Sequence, residues 1–188
     1  MGSDASLLHL VVHGIFKAGL FLSAGSVIHY LHHQKSSRHL DAQSLNQMGG
    51  LRKVLPWTAL GYGVFAAGLM GLPFTNGFYS KENLAGFLWE NAQNSPFYPI
   101  YWTLLACLGV GMFLSNWYIS RQFYLIFLGK NRAQLDLEKP EKQDIDQHVP
   151  VLFLALFSLF FWTSTQVLHA EDSWLLHWFQ IKMLHYRF

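Results

Sequence analysis

Leu7-Leu-His-Leu-Val-Val-His-Gly-Ile-Phe-Lys-Ala-Gly-Leu-Phe-Leu-Ser-Ala-Gly-Ser-Val-Ile-His-Tyr-Leu31 is the stretch that decides the fold. It is apolar and long enough to cross a bilayer as a helix, which takes about 20 residues. Yet it carries His9, His13, Lys17 and His29. Its apolar residues do not alternate with period 2, so a membrane strand is excluded. Three further stretches read the same way, over about 54–88, 98–128 and 149–167. The second is interrupted around Gly71-Leu-Pro73 and again at Asn76-Gly77, the third contains Arg121, and the fourth has no charged residue. The sequence predicts an all-α integral membrane protein. It has about four transmembrane helices (7–31, 54–88, 98–128 and 149–167), the second broken near Pro73.

Composition supports this. Of 188 residues, 52% are hydrophobic, 16% aromatic and only 13% charged, where a soluble domain runs near a quarter charged. A net charge of +2 is too slight for a nucleic-acid binder. The apolar content excludes a disordered chain, and the single cysteine, Cys107, excludes a disulfide framework.

Most charges lie between the spans. Residues 32–53 carry Lys35, Arg38, Arg52 and Lys53, and residues 129–148 carry Lys130, Arg132, Lys139 and Lys142 among five acids. Residues 89–97 have no Lys or Arg. The positive-inside bias puts loops 32–53 and 129–148 on the matrix or cytoplasmic side. The transmembrane module is read over 1–167. Residues 168–188, with Trp174, Trp178, Phe179, Lys182 and Arg187, form a short amphipathic tail. That tail lies in the headgroup layer or docks on a neighbouring subunit. Met-Gly-Ser-Asp-Ala-Ser fits a myristoylation pattern, but a span opens at Leu7, so an acyl anchor adds little. No cleavable signal is expected before that span.

Three basic residues are left inside the spans: Lys17, Lys81 and Arg121. His9, His13 and Lys17 are four residues apart, and each step turns a helix by about 400°, so they form one slowly drifting stripe. Facing lipid, a central Lys costs on the order of 2.5–3.5 kcal/mol. The stripe is therefore expected to face protein, water or an acidic partner. His9 alone would suit a headgroup boundary, and snorkelling explains Lys17 poorly. An i, i+4 His pair can chelate zinc, but no acid or cysteine lies near and no metal is expected. His29 is read as continuing the same side near the helix end, or as simply reaching the interface.

The other feature is Gly71-Leu-Pro-Phe-Thr-Asn-Gly77-Phe-Tyr-Ser-Lys81-Glu82. Pro73 removes a backbone donor, and Gly71 and Gly77 relax the helix beside it. Non-helical backbone at membrane depth needs protein or a water cavity to satisfy it, and transporters handle ions at such breaks. Lys81 and Glu82 follow one turn later. A simple Pro kink with Lys81 at the surface is the alternative, weakened by the apolar run Leu84 to Leu88. Arg121 reads as an interfacial anchor or an interhelical pair, and Glu90 as a helix-end residue.

His9-x3-His13-Gly-Ile-Phe-Lys17-Ala-Gly-Leu-Phe-Leu is followed by Ala24-Gly-Ser-Val-Ile-His29, by Gln47-Met-Gly-Gly-Leu-Arg-Lys53 and by Gly71-Leu-Pro-Phe-x2-Gly77-Phe-Tyr-Ser-Lys81. In this order and spacing they resemble the chain 5 subunit of respiratory complex I, the NADH:ubiquinone oxidoreductase. That subunit belongs to an antiporter-like, proton-translocating family. The match runs from residue 9 to about residue 84, with a weaker match from Arg121 to Lys130. The related chain 4 subunit has Glu at the position of Lys81.

The resemblance implies a proton path. The lysine matching Lys17 sits at the centre of a hydrated polar axis, and the one matching Lys81 lies on the broken helix towards the exit. Histidines matching His9 and His13 help carry protons between them; apart from the resemblance, the positions of Glu82, His29 and Arg121 make them accessory candidates. The resemblance also implies a subunit of a proton-translocating NADH:ubiquinone reductase with no cofactor and no redox chemistry of its own. The implied location is the mitochondrial inner membrane, or alternatively a bacterial plasma membrane. Partners would be membrane lipids, neighbouring membrane-arm subunits and a second chain carrying the N-terminal half, because family members are much longer and this sequence matches from the central-lysine helix onward. Asn46 and Gln47 replace the basic residues usual before Met48. The alternatives are a fragment of a multisubunit sodium/proton antiporter or ion-translocating hydrogenase, and a non-pumping structural remnant. Retention of Lys17, Lys81 and both histidines argues against the last.

Overall fold

A computed structural model describes residues 2–33, 41–132 and 145–159. They form α1 (Gly2–His33), α2 (Pro56–Met70), α3 (Asn76–Asn94), α4 (Tyr98–Phe123) and α5 (Ile145–Phe157). A 3-10 turn over Leu51–Lys53 precedes α2, and a π-helical turn over Tyr124–Leu128 follows α4. Among the described residues there is no strand, only a single antiparallel bridge between Thr75 and Leu159. By length and composition α1 (His9–His33) and α4 with its π turn (Tyr98–Leu128) can each cross a membrane. α2, at 15 residues, is too short to do so alone.

The stretch over 54–88, read as broken near Pro73, is two helices with residues 71–75 between them. The span over 149–167 begins earlier, at Ile145, and leaves the helix after Phe157. The cause is Asn76, whose Nδ2 donates to Phe157 O (2.8 Å) and whose N–H donates to Ser158 O (3.1 Å). These carbonyls, orphaned at a helix end, take their donors from the start of α3. Residues 160–167 and the tail 168–188 lie outside the described residues.

The chain divides into two compact units. One comprises Phe16–Ala66 and Trp117–Leu156. Its part of α1 buries Phe16, Ser23, Val27 and Tyr30, spaced as one face of a 3.6-residue helix requires. The Ser23 and Ser26 hydroxyls donate to Gly19 O (2.8 Å) and Leu22 O (3.2 Å), so neither needs water in an apolar setting. Gly19 lies directly against the ring of the fully buried Phe65, which sets how closely α1 and α2 pack. Tyr62 stacks on Phe123 (6.0 Å between centroids) and leans on Phe127 (5.3 Å). In the π turn Gly129 N donates to Tyr124 O, five residues back, at 2.6 Å. The extra residue turns Leu125, Ile126 and Phe127 all inward and leaves Arg121 exposed in the last turn of α4. Leu51 is buried in the 3-10 turn, while the adjacent Arg52 and Lys53 stay exposed.

The other unit comprises Met1–Ile15, Ala67–Asn116 and the described residues of Phe157–Phe188. It contains the junction of α2 with α3 and most of α4. Ile100, Val110, Phe113 and Leu114 of α4 are exposed, an apolar surface that suits lipid or further membrane helices. Trp89 and Trp102 meet edge to face at 5.4 Å.

Candidate functional site at the junction of α2 and α3

The junction is built by backbone accounting. The last four carbonyls of a helix have no partner within it. At the end of α2, Gly71 takes the left-handed conformation, φ 77°. Leu72 N then donates to Ala67 O (3.0 Å), and Gly71 N to Gly68 O (3.1 Å) and Ala67 O (3.0 Å). This is the Schellman arrangement for which glycine is the preferred residue. Gly71, rather than Pro73, therefore ends the helix, and Pro73 two residues on prevents it from resuming. Gly77 does not relax the helix as the sequence suggested, because it is the second residue of α3 and buried. Phe74 also has positive φ, 71°, unusual for a side chain of that size. Thr75 Oγ1 donates to Leu72 O at 2.6 Å, closing the turn.

The third carbonyl, Leu69 O, accepts from the Lys81 ammonium at 2.5 Å. Lys81 is half-buried on α3, and its chain passes the Gly71 Cα side, where an added Cβ would lie 3.0 Å from Lys81 Cδ. A cation at the carbonyl end of a helix gains from the helix dipole, by up to about 2 kcal/mol where partly buried. Lys81 is thus held by neutral carbonyl dipoles at the break. Gly71→Ala is expected to strain the left-handed turn by about 1–2 kcal/mol and push the Lys81 chain aside. Thermal unfolding of the detergent-solubilised protein should show a midpoint lowered by a few degrees.

The residue immediately before Lys81 on α3, Ser80, makes a contact to α1. His9 Nδ1 and Ser80 Oγ are 3.1 Å apart, and Ser80 Oγ also donates to Gly77 O at 3.2 Å. With the hydroxyl proton on Gly77 O, His9 donates through Nδ1, which leaves Nε2 with the lone pair that can take up a proton. The His13 ring is 5.7 Å from that of His9, and Lys81 follows Ser80 directly on α3. The structure therefore brings His9, His13, Ser80 and Lys81 together in one unit. Lys17 belongs to the other unit.

On α1 itself, His9, His13 and Lys17 are all half-buried, while Leu10 and Phe21 are 67% and 75% exposed. The basic stripe runs along the flank of the buried face. His29 departs from it. It is exposed in the last turn, with its ring 4.4 Å from that of His33, because twelve residues beyond Lys17 a helix has turned by about a third of a revolution. Glu82 is exposed on α3. Among the described residues no group of three His, Cys, Asp or Glu side chains could hold a metal ion.

Comparison with known proteins fits this arrangement. Residues 1–115, well over half of the chain, match the family described as NADH:quinone oxidoreductase/Mrp antiporter, transmembrane. The chain belongs to this family. Among similar proteins is NADH-ubiquinone oxidoreductase chain 5 of Rhizopus stolonifer, 35% identical over 84% of this chain and 22% of its own length. Chain 5 of Acanthamoeba castellanii is 42% identical over 68% of this chain and 17% of its own length. A chloroplastic NAD(P)H-quinone oxidoreductase subunit 5 from Nephroselmis olivacea is 32% identical over 80% of this chain and 22% of its own. The chain spans about one fifth of the length of these relatives, a shorter portion than the half expected from the motifs.

For a member of this antiporter family, the sequence reading passed over four polar residues. Asn76 and Ser80 share one face of α3, and Asn83 continues that face. Asn83 Nδ2 is buried without a hydrogen-bond acceptor. Asn116 on α4 reaches the end of α2. The available signal was their 4- and 3-residue spacing, Asn76, Ser80, Asn83, in a stretch otherwise read as apolar.

Proposed function

We propose that the chain is a proton-translocating piece of the membrane arm of respiratory complex I. In this reading it couples NADH:ubiquinone oxidoreduction to proton movement without doing redox chemistry itself. The observation that carries it is Lys81 at the helix junction, its ammonium on the Leu69 carbonyl and the His9–Ser80 pair at the preceding residue of α3. A lysine held by dipoles instead of by a carboxylate can lose its proton when another positive charge arrives nearby. His9 and His13 then act as relays, and Lys17 as the central carrier on the same helix. Protons move by charge-driven steps, and no bond other than N–H or O–H is made or broken.

In the same reading, chain outside these 188 residues supplies the remaining helices of the antiporter-like subunit. Two further membrane crossings are assigned to α2 with α3, joined through the break, and to the stretch that includes α5. Loops 32–53 and 129–148 face the matrix or cytoplasm, and the membrane is the mitochondrial inner membrane. The family description also covers Mrp antiporters, which gives the second reading, a sodium/proton antiporter using the same residues.

Affinity isolation of the tagged protein from its native membrane separates the two. An assembly that oxidises NADH and contains flavin and iron–sulfur subunits is the expected result. An assembly without them moves the function to the antiporter.

A further inference from the structure

We propose that Asn116 is a positioning residue for Lys81: its amide holds the Met70 carbonyl, and with it the carbonyl end of α2 on which the Lys81 ammonium rests. The proposal rests on the reading above that Lys81 carries protons.

Three of the four terminal carbonyls of α2 are described above: Ala67 O and Gly68 O take the Gly71 and Leu72 N–H groups, and Leu69 O takes Lys81. At the fourth, the Asn116 side-chain amide faces Met70 O and Met112 O, and with its nitrogen turned to them it donates at 3.1 and 3.3 Å. Both neighbours are acceptors, so the amide must present nitrogen to them, because the opposite orientation would set oxygen against two oxygens. Asn116 is half-buried, whereas its α4 neighbours Phe113, Leu114 and Trp117 are exposed. An amide among such residues costs several kcal/mol unless paired, which holds α4 to the end of α2 at this point. Leu69 and Met70 are consecutive, so a displacement of the Met70 carbonyl carries the Leu69 carbonyl with it. A 2.5 Å bond between an ammonium and that carbonyl tolerates little displacement. Asn116 touches no moving proton. It acts by keeping the acceptor where Lys81 needs it.

The test uses the assembled complex in sealed native-membrane vesicles, with NADH-driven proton pumping per NADH oxidised as the readout. Asn116→Leu, similar in size but without a donor, should lower pumping about fivefold, the equivalent of one hydrogen bond. Asn116→Gln, which keeps the donor, should return it to within about twofold. Thermal midpoints of Asn116→Leu, Lys81→Gln and the double variant complete a cycle. If Asn116 acts through Lys81, the double variant's shift falls short of the sum of the single shifts, by roughly 2–4 °C. Additive shifts, or unchanged pumping in Asn116→Leu, overturn the proposal. Normal pumping in Lys81→Gln alone overturns the reading of Lys81 on which it stands, and that single variant tells the two failures apart.

Discussion

Lys81→Ala is expected to lower proton pumping by roughly 100-fold, the lower end for loss of a positioned proton carrier. The reason is local. Lys81 is the titratable group at the junction of α2 and α3, and its ammonium lies on Leu69 O. Alanine removes both the proton and the donor, leaving that carbonyl at a helix end without its partner, which by itself costs about 1–3 kcal/mol. Lys81→Gln separates the two effects, since its amide can still donate to a carbonyl but cannot carry a proton at neutral pH. Pumping should fall nearly as far in Lys81→Gln as in Lys81→Ala, with assembly closer to normal. Both are read as proton movement per NADH oxidised in sealed vesicles, with native electrophoresis for assembly. Full pumping in Lys81→Gln would show that the ammonium serves only to cap the helix.

The largest expected effect on stability is at Gly19. A Cβ there would clash with the ring of Phe65, and Phe65 is fully buried. Close packing makes such overfilling costly. Gly19→Leu should therefore destabilise the contact of α1 with α2 by on the order of 3 kcal/mol or more, which lowers the thermal midpoint by roughly 6–12 °C for a chain of this size. Combining Gly19→Leu with Phe65→Ala exchanges bulk across the contact and should recover much of the loss. A double variant no more stable than Gly19→Leu would mean that the two residues do not share this contact. Differential scanning calorimetry of the detergent-solubilised protein makes the comparison.

The helical, membrane-embedded character of the chain was legible from sequence because it depends on local quantities. Apolar run length fixes what can enter a bilayer, and charge-poor runs over 7–31 and 98–128 correspond to α1 and α4. The stripe of His9, His13 and Lys17 was legible for the same reason, since a four-residue spacing fixes a common side on any helix. The family followed from ordered motifs. His29 lies off the flank because a stripe at four-residue steps drifts, and over twelve residues the drift amounts to about a third of a turn.

What only the tertiary structure decided concerns where polar groups find partners. The sequence points to a break near Pro73, but the end of α2 is set by Gly71 in its left-handed turn, and the carbonyls left there are taken by residues 12 and 46 positions away, Lys81 and Asn116. The end of α5 is likewise set by Asn76, 81 residues earlier in the chain. A backbone carbonyl in an apolar setting must be paired, yet nothing in its own neighbourhood of sequence says by what. The length of its apolar runs determined the helices of this protein, and long-range pairing of their unsatisfied ends decided where they stop and where Lys81 is held.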